Sequence, residues 1–179
     1  MHYILALLLF VLTLLPTSAG ATGHALRAVA TWAGLPTDVA IHSLNAEPAD
    51  IDGGFIAAGT HCSWFFCQTV PTIILMWTGS EVPYGVKLGV LLHEIGHYHQ
   101  WKTETFDSLG VVEREWAADA YAVRALCQLG LDGPAVTLSS FRWVYVTKGY
   151  KGDKDHGTLA DRMDAADRVG CRGVSQEAA

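Results

Sequence analysis

The stretch that most constrains this chain runs from Tyr84 to Trp101. Val86, Leu88, Val90, Leu91, Leu92 and Ile95 make it apolar, and no proline interrupts it, which predicts a buried helix. Set inside it is His93-Glu94-Ile95-Gly96-His97. Residues four apart on a helix lie one above the other on a single face. His93 and His97 can therefore turn both imidazoles toward one ion. Glu94 lies beside that face, within reach of a water on the same ion. This is the H-E-x-x-H spacing, in which two histidines bind zinc and the glutamate is the general base. The plainer reading is a buried helix whose histidines are satisfied by backbone or carboxylate partners.

A catalytic zinc site needs a third protein ligand and keeps a fourth position for water. The best source is Glu115-Trp116-Ala117-Ala118-Asp119, in a second helix expected over Val111–Leu129 and ended by Gly130. Glu115 and Asp119 are again four apart and share a face. Ala117, Ala118, Ala120 and Ala122 surround them, and small side chains let two helices approach closely. The expected ligand set is His93, His97 and Glu115. Asp119 would accept a hydrogen bond from the free ring nitrogen of one histidine and so fix its tautomer. Glu113 is the fallback ligand, and a solvated pair of carboxylates is the plain alternative. His99 lies two residues from His97, points to another face and is expected at the surface or behind the ligands.

The rest of the chain supplies one domain, expected over 22–179. With 179 residues it can bury a real core. The net charge of -6 comes without a Lys/Arg stripe, so no nucleic-acid partner is expected. Residues 1–21 read as a secretory signal peptide, with an apolar run from Ile4 to Leu15 and small residues Ala19 and Ala21 around a cleavage site. The segment before the apolar run has no Lys or Arg, so an uncleaved N-terminal anchor is the competing reading and the one expected route to a membrane. The run is short for a span of about 20 residues. Cys62, Cys67, Cys127 and Cys171 all follow this segment, and an even count in an exported chain suggests two disulfides. Cys62–Cys67 and Cys127–Cys171 are the pairs expected here, with a cysteine metal site as the alternative.

A coarse reading places a short helix at His24–Leu35, stopped by Pro36, and a strand at Val39–Leu44. A loop follows to Gly54, then strands at Gly54–Thr60 and Thr72–Trp77. Between those strands Trp64, Phe65 and Phe66 form an aromatic cluster, read as loop residues folding onto the core or as a lip beside a cleft. A helical or mixed stretch begins at Gly133-Pro134 and runs through Tyr145. A polar loop covers Lys148–His156, a last helix Thr158–Val169, and the tail starts at Arg172.

With those residues set out, the chain resembles the gluzincin metallopeptidases, which share H-E-x-x-H followed by E-x-x-x-D. It is most similar to the HtpX and CAAX-prenyl-peptidase family, whose second motif often reads E-x-x-A-D-x-x-A, as Glu115 to Ala122 does here. His156-Gly157-Thr158-Leu159-Ala160-Asp161-Arg162 is similar to the family's C-terminal H-P-x-x-x-x-R, with Gly157 in place of proline. The resemblance covers about Gly54 to Met163. It implies an α+β fold: a mainly helical zincin-like core, a small antiparallel sheet, and the H-E-x-x-H helix packed on a second ligand-bearing helix. It also implies Zn2+ as cofactor and places His156 and Arg162 near the metal, with His156 stabilising an oxyanion. Enzymes of the HtpX type carry several membrane helices, and this chain has at most one apolar segment. Its H-E-I-G-H and glutamate-bearing second helix also resemble the ImmA/IrrE-type peptidases.

The function expected is an exported zinc-dependent endopeptidase acting on a protein or peptide. Glu94 takes a proton from the attacking water, His156 or Tyr145 stabilises the oxyanion, and the strand Thr72–Trp77 offers an edge to the substrate backbone. Three rivals stand beside it. One is an inactive zinc-held module presenting Trp64, Phe65 and Phe66 to a partner. Another is a zinc hydrolase of cell-wall peptides, and the last is a metal-free helical protein.

Overall fold

The computed structural model describes residues 19–45, 53–63, 66–77, 82–147 and 156–171, and side chains over 23–42, 71–75, 82–145 and 156–171. Its centre is the predicted buried helix, here α2, Tyr84–Lys102. Val86, Leu88, Leu91, Leu92 and Ile95 are buried on several sides of it. Fully burying a leucine or isoleucine is worth about 1.5–3 kcal/mol. Those contacts, more than helix propensity, hold α2 in place against α1 (Ala19–Trp32), the sheet, α3 (Val111–Gln128) and α4 (Gly133–Arg142).

Helix α1 begins at Ala19 rather than at the predicted His24, and buries Leu26, Val29 and Ala30 in the main core. The apolar run from Ile4 to Leu15 lies outside the described residues, as do most of the expected loops at 45–54 and 148–156 and the tail from Arg172. Among the described residues no helix is long and apolar enough to cross a membrane.

The strands are β1 (Ala40–Asn45), β2 (Gly53–Ser63) and β3 (Phe66–Trp77), in the order β1-β3-β2. β2 and β3 form an antiparallel hairpin, with Cys62 opposite Cys67 and Ser63 opposite Phe66. β1 is parallel to β3, with Ala40 opposite Thr72 and Asn45 opposite Trp77. The sheet is therefore mixed, not antiparallel. Three strands that reverse direction in turn are all antiparallel only in chain order. Inserting the third between the first two sets it beside a strand of its own direction. This also corrects the expected substrate edge: Thr72–Met76 is paired on both sides, and among the described residues the outer strands are β1 and β2. Pro71 in β3 precedes the first residue paired with β1, where one side of β3 is free and a missing N–H is tolerated. The expected aromatic loop is the tip of this hairpin, and Trp64 and Phe65 lie outside the described residues.

α4 starts on Asp132, whose side chain accepts from the Ala135 N–H, with Pro134 in its first turn. It runs on into a π-helical turn, Trp143–Thr147. The last helix, α5 (Leu159–Val169), opens on a capping box: Thr158 Oγ1 accepts from the Asp161 N–H, and the Asp161 carboxylate returns to Thr158. Val123, Cys127, Phe141, Tyr145 and Ala166 form a second, smaller core between α3, α4 and α5. The expected disulfide Cys127–Cys171 closes it, joining the end of α3 to the residue beyond Gly170, which follows α5. Disulfides persist in oxidising compartments.

Candidate metal centre

The centre lies where α2 meets α3, and Gly96 sets how close they come. A Cβ on Gly96 would stand 2.8 Å from the Ala118 Cα and 3.1 Å from its carbonyl oxygen. Only a glycine facing an alanine allows this approach. It carries Glu115, one turn before Ala118, onto the two histidines of α2.

His93 Nε2 and His97 Nε2 are 3.1 Å apart. Glu115 Oε2 is 3.3 Å from the first and Oε1 is 3.2 Å from the second. Ligands at 2.0–2.1 Å from a tetrahedral ion stand about 3.3–3.4 Å from one another. The two Nε2 atoms and the Glu115 carboxylate, which sets one oxygen near each imidazole, are thus close enough to serve a single ion. His93, His97 and Glu115 are positioned to bind a metal ion.

The hydrogen bonds behind the ligands decide what they offer. Asp119 Oδ1 lies 2.7 Å from His93 Nδ1, so that nitrogen donates and Nε2 keeps its lone pair. Asp119 is fully buried and is held in turn by Arg162, whose Nε and Nη2 donate to Oδ2 and Oδ1 at 2.9 and 2.6 Å. The guanidinium lies over the Phe141 ring, 4.3 Å from its centroid. It is also 3.8 Å from Glu115 Oε2. The capping box explains its delivery, because Arg162 follows Asp161 directly at the start of α5.

Two imidazole lone pairs and a carboxylate therefore converge with no hydrogen among them. Glu115 Oε2 is buried without a hydrogen bond. Its approach to His93 becomes one only when Nε2 takes a proton. Three acceptors facing each other repel, and a cation or a proton is what relieves them. In the absence of a cation the proton does so. Burial opposes a charge on His93, but Asp119 and then Glu115 outweigh it and push the imidazole up to about 10. Burial alone would raise Glu115, yet the facing histidines hold it well below the usual carboxylate range. Asp119 is lowered too, the Arg162 charge and then His93 overcoming burial.

Glu94 is 4 % exposed beside this cluster, and burial raises its carboxyl above the ordinary range while His93 and His97 pull the other way. Other expectations separate here. Glu113 is exposed in the first turn of α3, its carboxylate beside Gly110, and is not one of the clustered groups. His99 points to α1, where its Nε2 lies 3.2 Å from the Ala33 carbonyl that also accepts from the Tyr121 hydroxyl. His156 is exposed, one residue before Gly157, whose carbonyl accepts from the Tyr145 hydroxyl at 3.4 Å. It is not among the clustered groups.

Sequence reasoning missed two residues here. Gln100 contacts His97, and the signal was its position three residues on along the same helix face. Phe106 comes from the polar connection after α2, and its ring stands edge-on to His97 with centroids 6.4 Å apart. No family model, curated protein or solved structure matches the chain.

Proposed function

We propose that this protein is an exported zinc-dependent metallopeptidase of the gluzincin type that hydrolyses peptide bonds in a protein or peptide substrate. The observation that carries the reading is a buried Glu94 beside three converging acceptors close enough to serve a single ion. A purely structural site closes its fourth position and has no use for a neighbouring base. Two imidazoles and one carboxylate suit zinc. The chemistry that zinc supplies when bound is Lewis acidity, which polarises a water and a scissile carbonyl.

The chain's own residues do the rest. Asp119 accepts the Nδ1 hydrogen of His93 and so aims Nε2 at the ion, and Arg162 holds Asp119 in place and charged. Glu94 takes the proton from the attacking water, a task that its raised affinity for protons favours, and passes it to the leaving amine. His156, exposed at the turn before α5, is assigned the oxyanion in this reading. The Cys127–Cys171 bridge supports export to an oxidising compartment.

The test is Glu94→Gln. The variant should bind zinc as the wild type does and lose chelator-sensitive cleavage of casein by about 100-fold or more, the scale of general-base catalysis. Cleavage at the wild-type rate would show that Glu94 is not the base.

A further inference from the structure

Gln100 is 7 % exposed and lies three residues after His97 on α2. Its amide bridges two helices. Nε2 donates to the Arg114 carbonyl at 2.8 Å, and Oε1 lies 3.2 Å from His97 Nδ1. The first contact fixes the second. Turning the amide over would set its oxygen against another carbonyl oxygen at that distance with no hydrogen between them. The oxygen therefore faces the imidazole, and an amide oxygen only accepts. Nδ1 of His97 must carry the hydrogen, which leaves the Nε2 lone pair aimed at His93 and Glu115.

The backbone of Gln100 is pinned as well. Its carbonyl accepts from the N–H groups of Thr105 and Phe106 and from the hydroxyls of Thr103 and Thr105, at 3.0–3.3 Å. Those bonds bring the chain around to Phe106, which borders His97 and carries the Arg114 guanidinium over its ring, 4.3 Å from the centroid. Arg114 precedes Glu115. The amide thus links the α2 histidine to the α3 backbone at the residue next to the third ligand.

We propose that Gln100 is a positioning residue of the metal centre, which locks His97 in the tautomer that presents Nε2 to a divalent cation. This rests on His93, His97 and Glu115 being the ligands. The two imidazoles are then backed differently: His93 by a carboxylate and His97 by a neutral amide.

The experiment uses the whole chain as wild type, Gln100→Leu, Gln100→Glu and Ser139→Ala. Ring-nitrogen NMR of the metal-free proteins reads the His97 tautomer, and competition against a chelator reads zinc affinity. Wild type should show hydrogen on Nδ1. Gln100→Leu should mix the tautomers and weaken zinc by about 10–100-fold, the usual effect of losing such a partner. Gln100→Glu keeps an acceptor for Nδ1 but gives up the bond to the Arg114 carbonyl, so it should keep the tautomer and lose less zinc affinity than Gln100→Leu. Ser139→Ala removes an exposed hydroxyl bond to the Ala135 carbonyl on α4, away from Gln100 and its partners, and should leave affinity unchanged. If the leucine variant does not fold, Gln100→Met takes its place. Wild-type affinity and tautomer in Gln100→Leu would overturn the proposal, as would an equal loss in Ser139→Ala. Failure of the wild type itself to take up zinc would instead overturn the ligand assignment.

Discussion

Replacing Gly96 by alanine separates the metal centre from the fold that carries it. The added Cβ would lie 2.8 Å from the Ala118 Cα, 3.1 Å from its oxygen and 3.2 Å from its Cβ. Carbon atoms settle at about 3.5–4.0 Å, so α2 and α3 must part locally by about 0.7–1.2 Å. Overpacking of that kind costs about 1–3 kcal/mol. Alanine in a helix interior returns about 1 kcal/mol relative to glycine, so the net loss of stability is small. The ligands are less forgiving, because bond distances tolerate only about 0.2 Å. Moving Glu115 with its helix would stretch its 3.2 and 3.3 Å approaches to the imidazoles to roughly 4 Å, beyond one tetrahedral edge. The expected outcome is metal affinity down by at least about 100-fold, more than an outer hydrogen bond is worth, with the metal-free melting temperature lowered by no more than about 8 °C, the equivalent of about 2 kcal/mol. Chelator competition and thermal unfolding measure the two separately. Adding Ala118→Gly should not restore affinity, because the two closest obstructing atoms are backbone. Wild-type zinc affinity in Gly96→Ala would refute the reasoning, since the ligands would then not depend on this contact.

Three further outcomes are expected. Glu104 has φ 58° just past the end of α2, with its N–H and that of Thr105 returning to the carbonyls of Trp101 and Gln100, an arrangement that favours glycine. Glu104→Gly should raise stability by about 0.5–1 kcal/mol, a gain of about 1–4 °C in melting temperature, and a fall would show that this side chain contributes more than its backbone costs. In the metal-free protein the His93 pKa is raised from 6.5 to about 10, so its contribution to stability is complete below pH 6.5 and lost as pH rises through about 10. The stability gap between wild type and His93→Gln in urea should therefore shrink from pH 7 to 10.5, and zinc uptake at pH 8 should release about one proton; a gap that does not change with pH contradicts this. Removing the Cys127–Cys171 bridge, which spans a sequence separation of 44, should cost about 4 kcal/mol by loop entropy. Denaturant titration of the double alanine variant against wild type measures this, and a loss under about 1 kcal/mol would mean that the unbridged chain is already restrained.

Much of the centre was legible because helices have a fixed period. The spacing of His93 to His97, and of Glu115 to Asp119, determines which side chains share a face wherever the helices go. The alanines around Glu115 signalled close approach, and Ala118 is where it occurs. Sheet order was not legible, because the β pattern of Thr72–Trp77 reads the same for a strand with one neighbour or with two. The neighbours come from chain reversals that no local residue specifies. Gln100 was overlooked because an amide near a helix end has an ordinary reading, and its meaning depends on the Arg114 carbonyl of another helix. His156 and Arg162 came from one resemblance, and Arg162 lies behind the ligands, on Asp119. A capped helix delivers it to a buried carboxylate, whereas His156 precedes the cap on an exposed turn.

Arg162 follows Asp119 by 43 residues. At about 5–20 residues per second, a ribosome makes that length in roughly 2–9 s. Until the arginine arrives, Asp119 is a carboxylate without its counter-charge, and a buried charge left without a partner costs about 3–5 kcal/mol. Maturation of the ion-binding corner is thus a terminal event in biosynthesis. A product cut short before Arg162 would keep the three clustered side chains and lose the group that holds Asp119 behind them.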